Sequence, residues 1–316
     1  REILADVAGG TVNDTTNSLT TKIIFGNERR PQLVYTDLSE TFPGYMWATW
    51  KEYYEAHPEY KIEEGKILDA RLVDPVKHNL YRGTDVSMGG YVYAEPGMYK
   101  NAALLDVASL HPHSIKALNM FGNYTKNFTD LMDTRIFIKH KQYDEAAKLF
   151  DGKLAEFLKD PASAKQLSQA LKIVINSVYG LTSSKMETPF RDPRNVNNIV
   201  ALRGALFMRT LQDEVQERGF TVAHIKTDSI KIPEATQEII DFCMAFAQAY
   251  GYEFEHEATF EKVCLVNDAV LIAKVKDAAP GEEWEAVGTQ FAVPYVFKTL
   301  FSHEDVVFDD LISIKQ

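Results

Sequence analysis

Cysteine is nearly absent: Cys243 and Cys264 are the only two among 316 residues. That pattern matches neither a disulfide framework nor a zinc site, so a reducing compartment is expected. Long apolar runs are missing too. No stretch approaches the ~20 residues that a membrane-crossing helix needs, and no membrane partner is expected. Low-complexity tracts are lacking and 45% of the residues are hydrophobic, which excludes wholesale disorder. There is no secretory signal, and the chain opens Arg1-Glu2-Ile3-Leu4 without Met, as expected of a trimmed chain or one piece of a longer protein. Positive charge is in deficit as well, with a formal net charge of −11. Taken whole, that counts against nucleic acid as a partner.

The charge is unevenly placed, however. Residues 135–209 hold 13 Lys and Arg against 7 Asp and Glu, while the rest of the chain holds 21 against 38. A basic block inside an acidic protein fits an anion-binding module on an acidic scaffold.

Periodicity and punctuation outline the elements. Thr20–Phe25 reads as a short strand, and the first 80 residues offer no chemistry. Tyr91–Ala94 and Ala102–Val107 read as strands around the turn Glu95-Pro96-Gly97, the second continuously apolar until Asp106. Gln142–Lys159 has helical spacing through Ala146, Phe150, Leu154 and Phe157. Asp160-Pro161 then puts a capping carboxylate before a first-turn proline and predicts a second helix, which runs to about Gly180. These two helices are expected to form a hairpin that projects the basic block. A helix over 200–217, a hairpin over 221–232, a helix over 237–250 and strands within 262–276 follow. The order implies an α+β fold built on an antiparallel sheet.

Two carboxylates stand out. Asp106 ends an apolar strand, and Asp228 sits at a hairpin tip between Thr227 and Ser229. A carboxylate beside a buried strand costs desolvation unless something compensates it. Two on neighbouring strands can share hard divalent cations, Mg²⁺ or Mn²⁺, that activate a hydroxyl and stabilise a leaving phosphate oxygen. The plainer alternative is a pair of turn aspartates capping their own backbone. On the predicted second helix, Lys172, Asn176 and Tyr179 stand at i, i+4 and i+7 and form one stripe opposite the apolar face. Such a stripe binds phosphate, sugar or base, or is simply a solvated polar face.

The string around that stripe, Lys172-Ile-Val-Ile-Asn176-Ser177-Val178-Tyr179-Gly180, resembles the K-x-x-x-N-S-x-Y-G motif of family B DNA polymerases. Asp106-Val-Ala-Ser109-Leu110-His111-Pro112 resembles the family's D-x-x-S-L-Y-P, and His224-Ile-Lys226-Thr227-Asp228-Ser229 its Y-x-D-T-D-S. All three occur in the family's order, and the resemblance, closest to bacteriophage-type enzymes, runs over roughly residues 80–300.

The resemblance implies a palm of antiparallel sheet and helices at 90–120 and 180–275, with helical-hairpin fingers at 121–179. Residues 1–89 would be an N-terminal connecting region and 276–316 a short or truncated thumb, with no exonuclease domain. It further implies metal held by Asp106, Asp228 and the carbonyl of Val107. Lys172 would face the incoming triphosphate, Asn176 line the nucleotide site and Tyr179 lie near the nascent pair. The amides of Ser109 and Leu110 would cup phosphate oxygens. Arg135 and Lys139, four apart, resemble the family's R-x-x-x-K triphosphate contacts, the alternative being two exposed bases on a charged helix.

The departures are specific. His111 replaces the family's sugar-gating Tyr, and Lys226 replaces the first Asp of D-T-D. The family's K-K-x-Y primer contact is degraded to Asn267-Asp268-Ala269-Val270. Glu261 resembles a palm carboxylate near the metals, or is an exposed strand residue. The implied activity is template-directed DNA synthesis with Mg²⁺ or Mn²⁺ on primer-template DNA and deoxynucleoside triphosphates, in the cytoplasm of a bacterial host. The rival is a non-catalytic polymerase-like subunit completed by a partner chain, for which Lys226 speaks. Without an exonuclease domain or a D-x-E strand before the palm, the chain alone is expected not to proofread, and with 8 Lys and Arg against 20 Asp and Glu over 210–316 it is expected not to copy long stretches.

Overall fold

Asp160 and Pro161 start the longest helix: the Asp160 carboxylate accepts from the amides of Ala162 and Ser163 at 3.0 and 2.9 Å, and Pro161 occupies the first turn. The helix runs Pro161–Thr182 and buries Ala164, Leu167, Leu171, Val174, Ile175 and Val178 along one face. The computed structural model describes residues 2–63, 68–292, 294–299 and 303–311. The remainder, including parts of the segment 276–316 read above as a thumb remnant, lies outside the described residues.

The chain divides into two units, one of residues 1–88 with 109–203 and one of residues 89–108 with 204–316. Residues 109–120 and 180–203 thus group with the first unit.

The first unit is mostly helical. Its N-terminal part holds α1 (Glu2–Ala8), α2 (Thr16–Phe25), α3 (Leu38–Thr41), α4 (Trp50–Ala56), α5 (Pro58–Glu63) and α6 (Leu68–Leu72). A small antiparallel sheet joins β1 (Met46–Ala48), β2 (His78–Tyr81) and β3 (Thr84–Asp85). Then come α7 (Leu110–Ala117), α8 (Thr125–Lys139), α9 (Tyr143–Lys148) and the long α10 (Pro161–Thr182), which packs against α8 and α2. Its core includes Phe25, Phe121 and Phe190, whose rings meet at 4.8–5.5 Å between centroids.

Two expectations are corrected here. Thr20–Phe25 is helix, not strand. Thr15 caps the amide of Ser18, and Leu19, Thr20, Ile23 and Ile24 are buried at helical spacing, so packing overrides the strand preference of β-branched residues. The helix expected over 142–159 is broken after Lys148. Leu149 is extended at ψ 160°, Phe150 and Asp151 adopt φ 56° and 55°, and two short 3₁₀ turns follow. The long helix that packs on α10 is therefore α8.

The second unit carries seven strands in the order β10-β9-β8-β5-β7-β6-β4, all neighbours antiparallel. They are β4 (Val92–Ala94), β5 (Gly97–Val107), β6 (His224–Lys226), β7 (Ser229–Ile232), β8 (Phe254–Asn267), β9 (Val270–Val275) and β10 (Trp284–Val287). Ala102, Phe260, Val263, Leu265, Leu271 and Ala273 form a core cluster of this sheet. Helix α11 (Ile199–Glu217) falls mostly in this unit, and α12 (Gln237–Ala249) lies wholly within it. The described architecture is α+β.

Candidate active site

Asp106 is the penultimate residue of β5, and Asp228 occupies the turn between β6 and β7. Three backbone links set that turn. Asp228 donates its amide to the Lys226 carbonyl at 2.7 Å, Thr227 donates to the Tyr91 carbonyl at 2.9 Å, and Val107 donates to the Asp228 carbonyl at 2.8 Å. The last bond ties the end of β5 to Asp228. Thr227 adopts φ 57°, and its side chain sits where only a glycine allows it: a Cβ on Gly90, at φ 144°, would lie 2.8 Å from Thr227 Cγ2 and Oγ1. The Gly-Gly preceding Tyr91 thus makes room for the turn that presents Asp228. Tyr91 in turn donates its hydroxyl to Gln212 Oε1 at 2.6 Å.

Register brings further carboxylates to Asp106. It lies opposite Ser229 on β7 and opposite Glu255 on β8. The β5–β8 pairing shifts between Leu104, opposite Ala258, and Leu105, opposite His256, so Glu257 is the extra residue of a bulge. Burial together with the charges of Asp228, Glu257 and Glu255 pushes the Asp106 carboxyl up to about 7, partly offset by Lys231. A half-buried, crowded set of oxygen donors is an environment that a hard divalent cation would relieve, so these residues fit Mg²⁺ or Mn²⁺. Among the described residues no three His, Cys, Asp or Glu converge into a ready-made cation cage. Glu255 and Glu257 escaped the sequence reading because a bulged register across 150 residues leaves no local trace.

Lys226 ends β6, exposed, opposite Ser229. Glu261 does not join the carboxylates. It lies near the Lys100–Ala102 end of β5, roughly 16 Å along the strand from Asp106 at ~3.3 Å per residue. Its carboxylate meets Lys274 Nζ at 2.8 Å, and that hydrogen bond holds its pKa below the usual value.

The remaining residues singled out in the sequence lie in the first unit. Ser109, with φ 55° and ψ 57°, precedes α7, whose first residue is Leu110. The His111 ring stacks on Tyr179 at 4.0 Å between centroids and 9° between planes. The Tyr179 hydroxyl accepts from Asn198 Nδ2 at 3.1 Å, fixing its position on α10. Lys172 and Asn176 are exposed on the same helix. On α8, Lys139 is exposed, whereas Arg135 is half-buried, its Nε buried without a hydrogen-bond partner and its pKa lowered by burial. A guanidinium so placed has donors to spare for an anion.

What fold and site define together is an α+β protein with two aspartates, Asp106 and Asp228, on adjoining strand ends of an antiparallel sheet. Over 160 residues the chain is 31% identical to DNA polymerase II of Escherichia coli (strain K12), covering 45% of this chain and 19% of that protein. Among solved structures it is similar to the family B DNA polymerase from the hyperthermophilic archaeon Pyrobaculum calidifontis. There the identity is 12% and the TM-score 0.49, with 90% of this chain and 35% of that chain covered. No family model matches. Its three ordered motifs resemble those of family B DNA polymerases, and the chain spans about a fifth of the length of the DNA polymerase II that it matches. No helix among its described residues is long and apolar enough to cross a membrane.

Proposed function

We propose that the chain catalyses template-directed DNA synthesis, adding deoxynucleotides to a primer 3′-hydroxyl with release of pyrophosphate. The observation that carries this reading is Asp106 and Asp228 on adjoining strand ends, tied through the Val107 amide, with the Asp106 carboxyl pushed up to about 7 by burial and the neighbouring carboxylates. Asp106, Asp228 and the Val107 carbonyl would hold Mg²⁺ or Mn²⁺, which would supply hydroxyl activation and stabilisation of the leaving oxygen. The protein's own part is positioning and electrostatics. Lys172, Arg135 and Lys139 offer charge to the triphosphate, and the amides of Ser109 and Leu110 offer hydrogen bonds to its oxygens. Asn176 lines the nucleotide site, and the His111–Tyr179 stack packs against sugar and base. Residues 121–179 serve as fingers and the sheet as palm. Primer-template DNA, deoxynucleoside triphosphates and an accessory subunit are the partners, in the cytoplasm of a bacterial host infected by a phage.

Primer extension with Mg²⁺ tests this. Extension by the wild type and none by Asp106→Asn or Asp228→Asn, both cooperatively folded and no less stable than the wild type, is the expected result; near-normal extension by either variant overturns it. Lys226 favours a second reading, a non-catalytic polymerase-like subunit. Primer-template binding without extension by the wild type would establish that one.

A further inference from the structure

Lys231 is a lysine that the sheet has taken out of water. Only 7% of its surface is exposed, and the neighbouring His224 is 2% exposed. Residues directly opposed in antiparallel strands share a face. Leu104 opposes Lys231, His224 opposes Lys231, and Asp106 opposes both Ser229 and Glu255. With the alternation along β5 and β7, Asp106, Glu255, Lys231 and His224 therefore all stand on one face.

The histidine determines how the lysine is held. His224 Nε2 lies 3.1 Å from the Asp268 carbonyl oxygen, which can only accept, so Nε2 carries the ring proton. Nδ1 then presents its lone pair to Lys231 Nζ at 3.4 Å. A neutral imidazole is also what burial and the Lys231 charge impose, pushing the His224 pKa down to about 4. His224 is thus a seat for an ammonium group and not a second cation. Burial holds the Lys231 pKa below the usual lysine value, and Glu285, Asp106 and Glu257 oppose that shift, the nearby negative charge that a buried ammonium with one neutral acceptor needs.

We infer that Lys231, seated on His224, is a built-in counter-charge for the carboxylate cluster and weakens divalent-cation binding at Asp106 and Asp228. This rests on the reading of those aspartates as metal ligands. Lys231 acts through the field at the site and is a positioning residue. It stands opposite a residue two places from Asp106, roughly 7 Å along the strand. At that range, in a half-solvated site, removing one positive charge strengthens binding of a divalent cation by roughly tenfold or more.

The test is Mn²⁺ titration of the full chain, followed by electron paramagnetic resonance, without DNA or nucleotide. Lys231→Met should bind Mn²⁺ roughly tenfold or more tighter than wild type. Lys231→Arg, which keeps the charge, should stay close to wild type, and Lys231→Gln should follow Met. Adding Asp106→Asn should abolish the gain and so locate the site. Wild-type affinity in well-folded Met and Gln variants, or an equal gain in the Arg variant, overturns the inference and leaves the metal reading intact. No Mn²⁺ bound by wild type or variants at millimolar concentrations overturns both. If neither neutral variant folds, Mn²⁺ broadening of the wild-type Lys231 Nζ resonance decides. Strong broadening is expected from the roughly 7 Å separation along the strand, and its absence overturns the inference.

Discussion

Replacing Asp106 by Asn should remove activity and add stability, and the second effect can be sized from the structure. The Asp106 carboxyl titrates at about 7 against a reference of 3.8. Roughly three units at ~1.4 kcal/mol each set a ceiling of ~4 kcal/mol on the destabilisation that the ionised group causes. The carboxyl is only partly buried, and solvent screening reduces this to ~1–2 kcal/mol. The sign follows from proton counting. Between pH ~4 and ~7 the native state keeps a proton that the unfolded state has released, so wild-type stability falls as pH rises through that window and levels off above it. Asp106→Asn lacks that term. Urea unfolding in EDTA should show the variant ahead by ~1–2 kcal/mol at pH 7.5, with the lead shrinking as pH approaches 4. Added Mg²⁺ should raise the melting temperature of the wild type and not of the variant. A variant no more stable than wild type at pH 7.5, or a lead that does not change with pH, would refute the crowding of carboxylates around Asp106.

Three further outcomes are expected. His111→Ala removes the ring stacked on Tyr179 and should lower the ratio of deoxy- to ribonucleotide incorporation; competitive single-nucleotide extension measures it, and an unchanged ratio excludes His111 as the gate. Lys226→Ala should weaken primer-template binding and reduce the slope of log affinity against log salt by about one, without abolishing extension, as measured by fluorescence anisotropy. Gly90→Ala forces a Cβ against Thr227 at φ 144° and should cost ~2–3 kcal/mol by urea unfolding, whereas Gly89→Ala, whose Cβ meets nothing, should cost under ~1 kcal/mol.

Elements whose signals are local were legible in the residues. The cap and proline at Asp160-Pro161 announced α10, and its apolar period announced the buried face. The continuous apolar run before Asp106 announced a central strand, and β5 does lie between β8 and β7. Where two local signals competed, the reading went astray. The β-branched run in Thr20–Phe25 suggested a strand, while a cap at Thr15 and packing of Leu19, Ile23 and Ile24 made it a helix. Helical spacing through Phe150 and Leu154 hid a break that left-handed backbone at Phe150 and Asp151 imposes.

The candidate site divides the same way. The order of the three motifs, and with it Asp106, Asp228, Lys172, Asn176 and Tyr179, is a property of the chain as written, because each motif is short and its chemistry depends on residue type and spacing. Which carboxylates crowd Asp106 is not. Glu255 and Glu257 reach it through a bulged pairing of β5 with β8, Glu261 is carried to the middle of β5, about five residues from Asp106, and Lys231 is buried on His224 because β6, β7 and β5 lie side by side. A one-residue change in register would turn each of these side chains to the opposite face. Register is decided by packing of the whole sheet, so the charge around the two aspartates belongs to the tertiary structure alone.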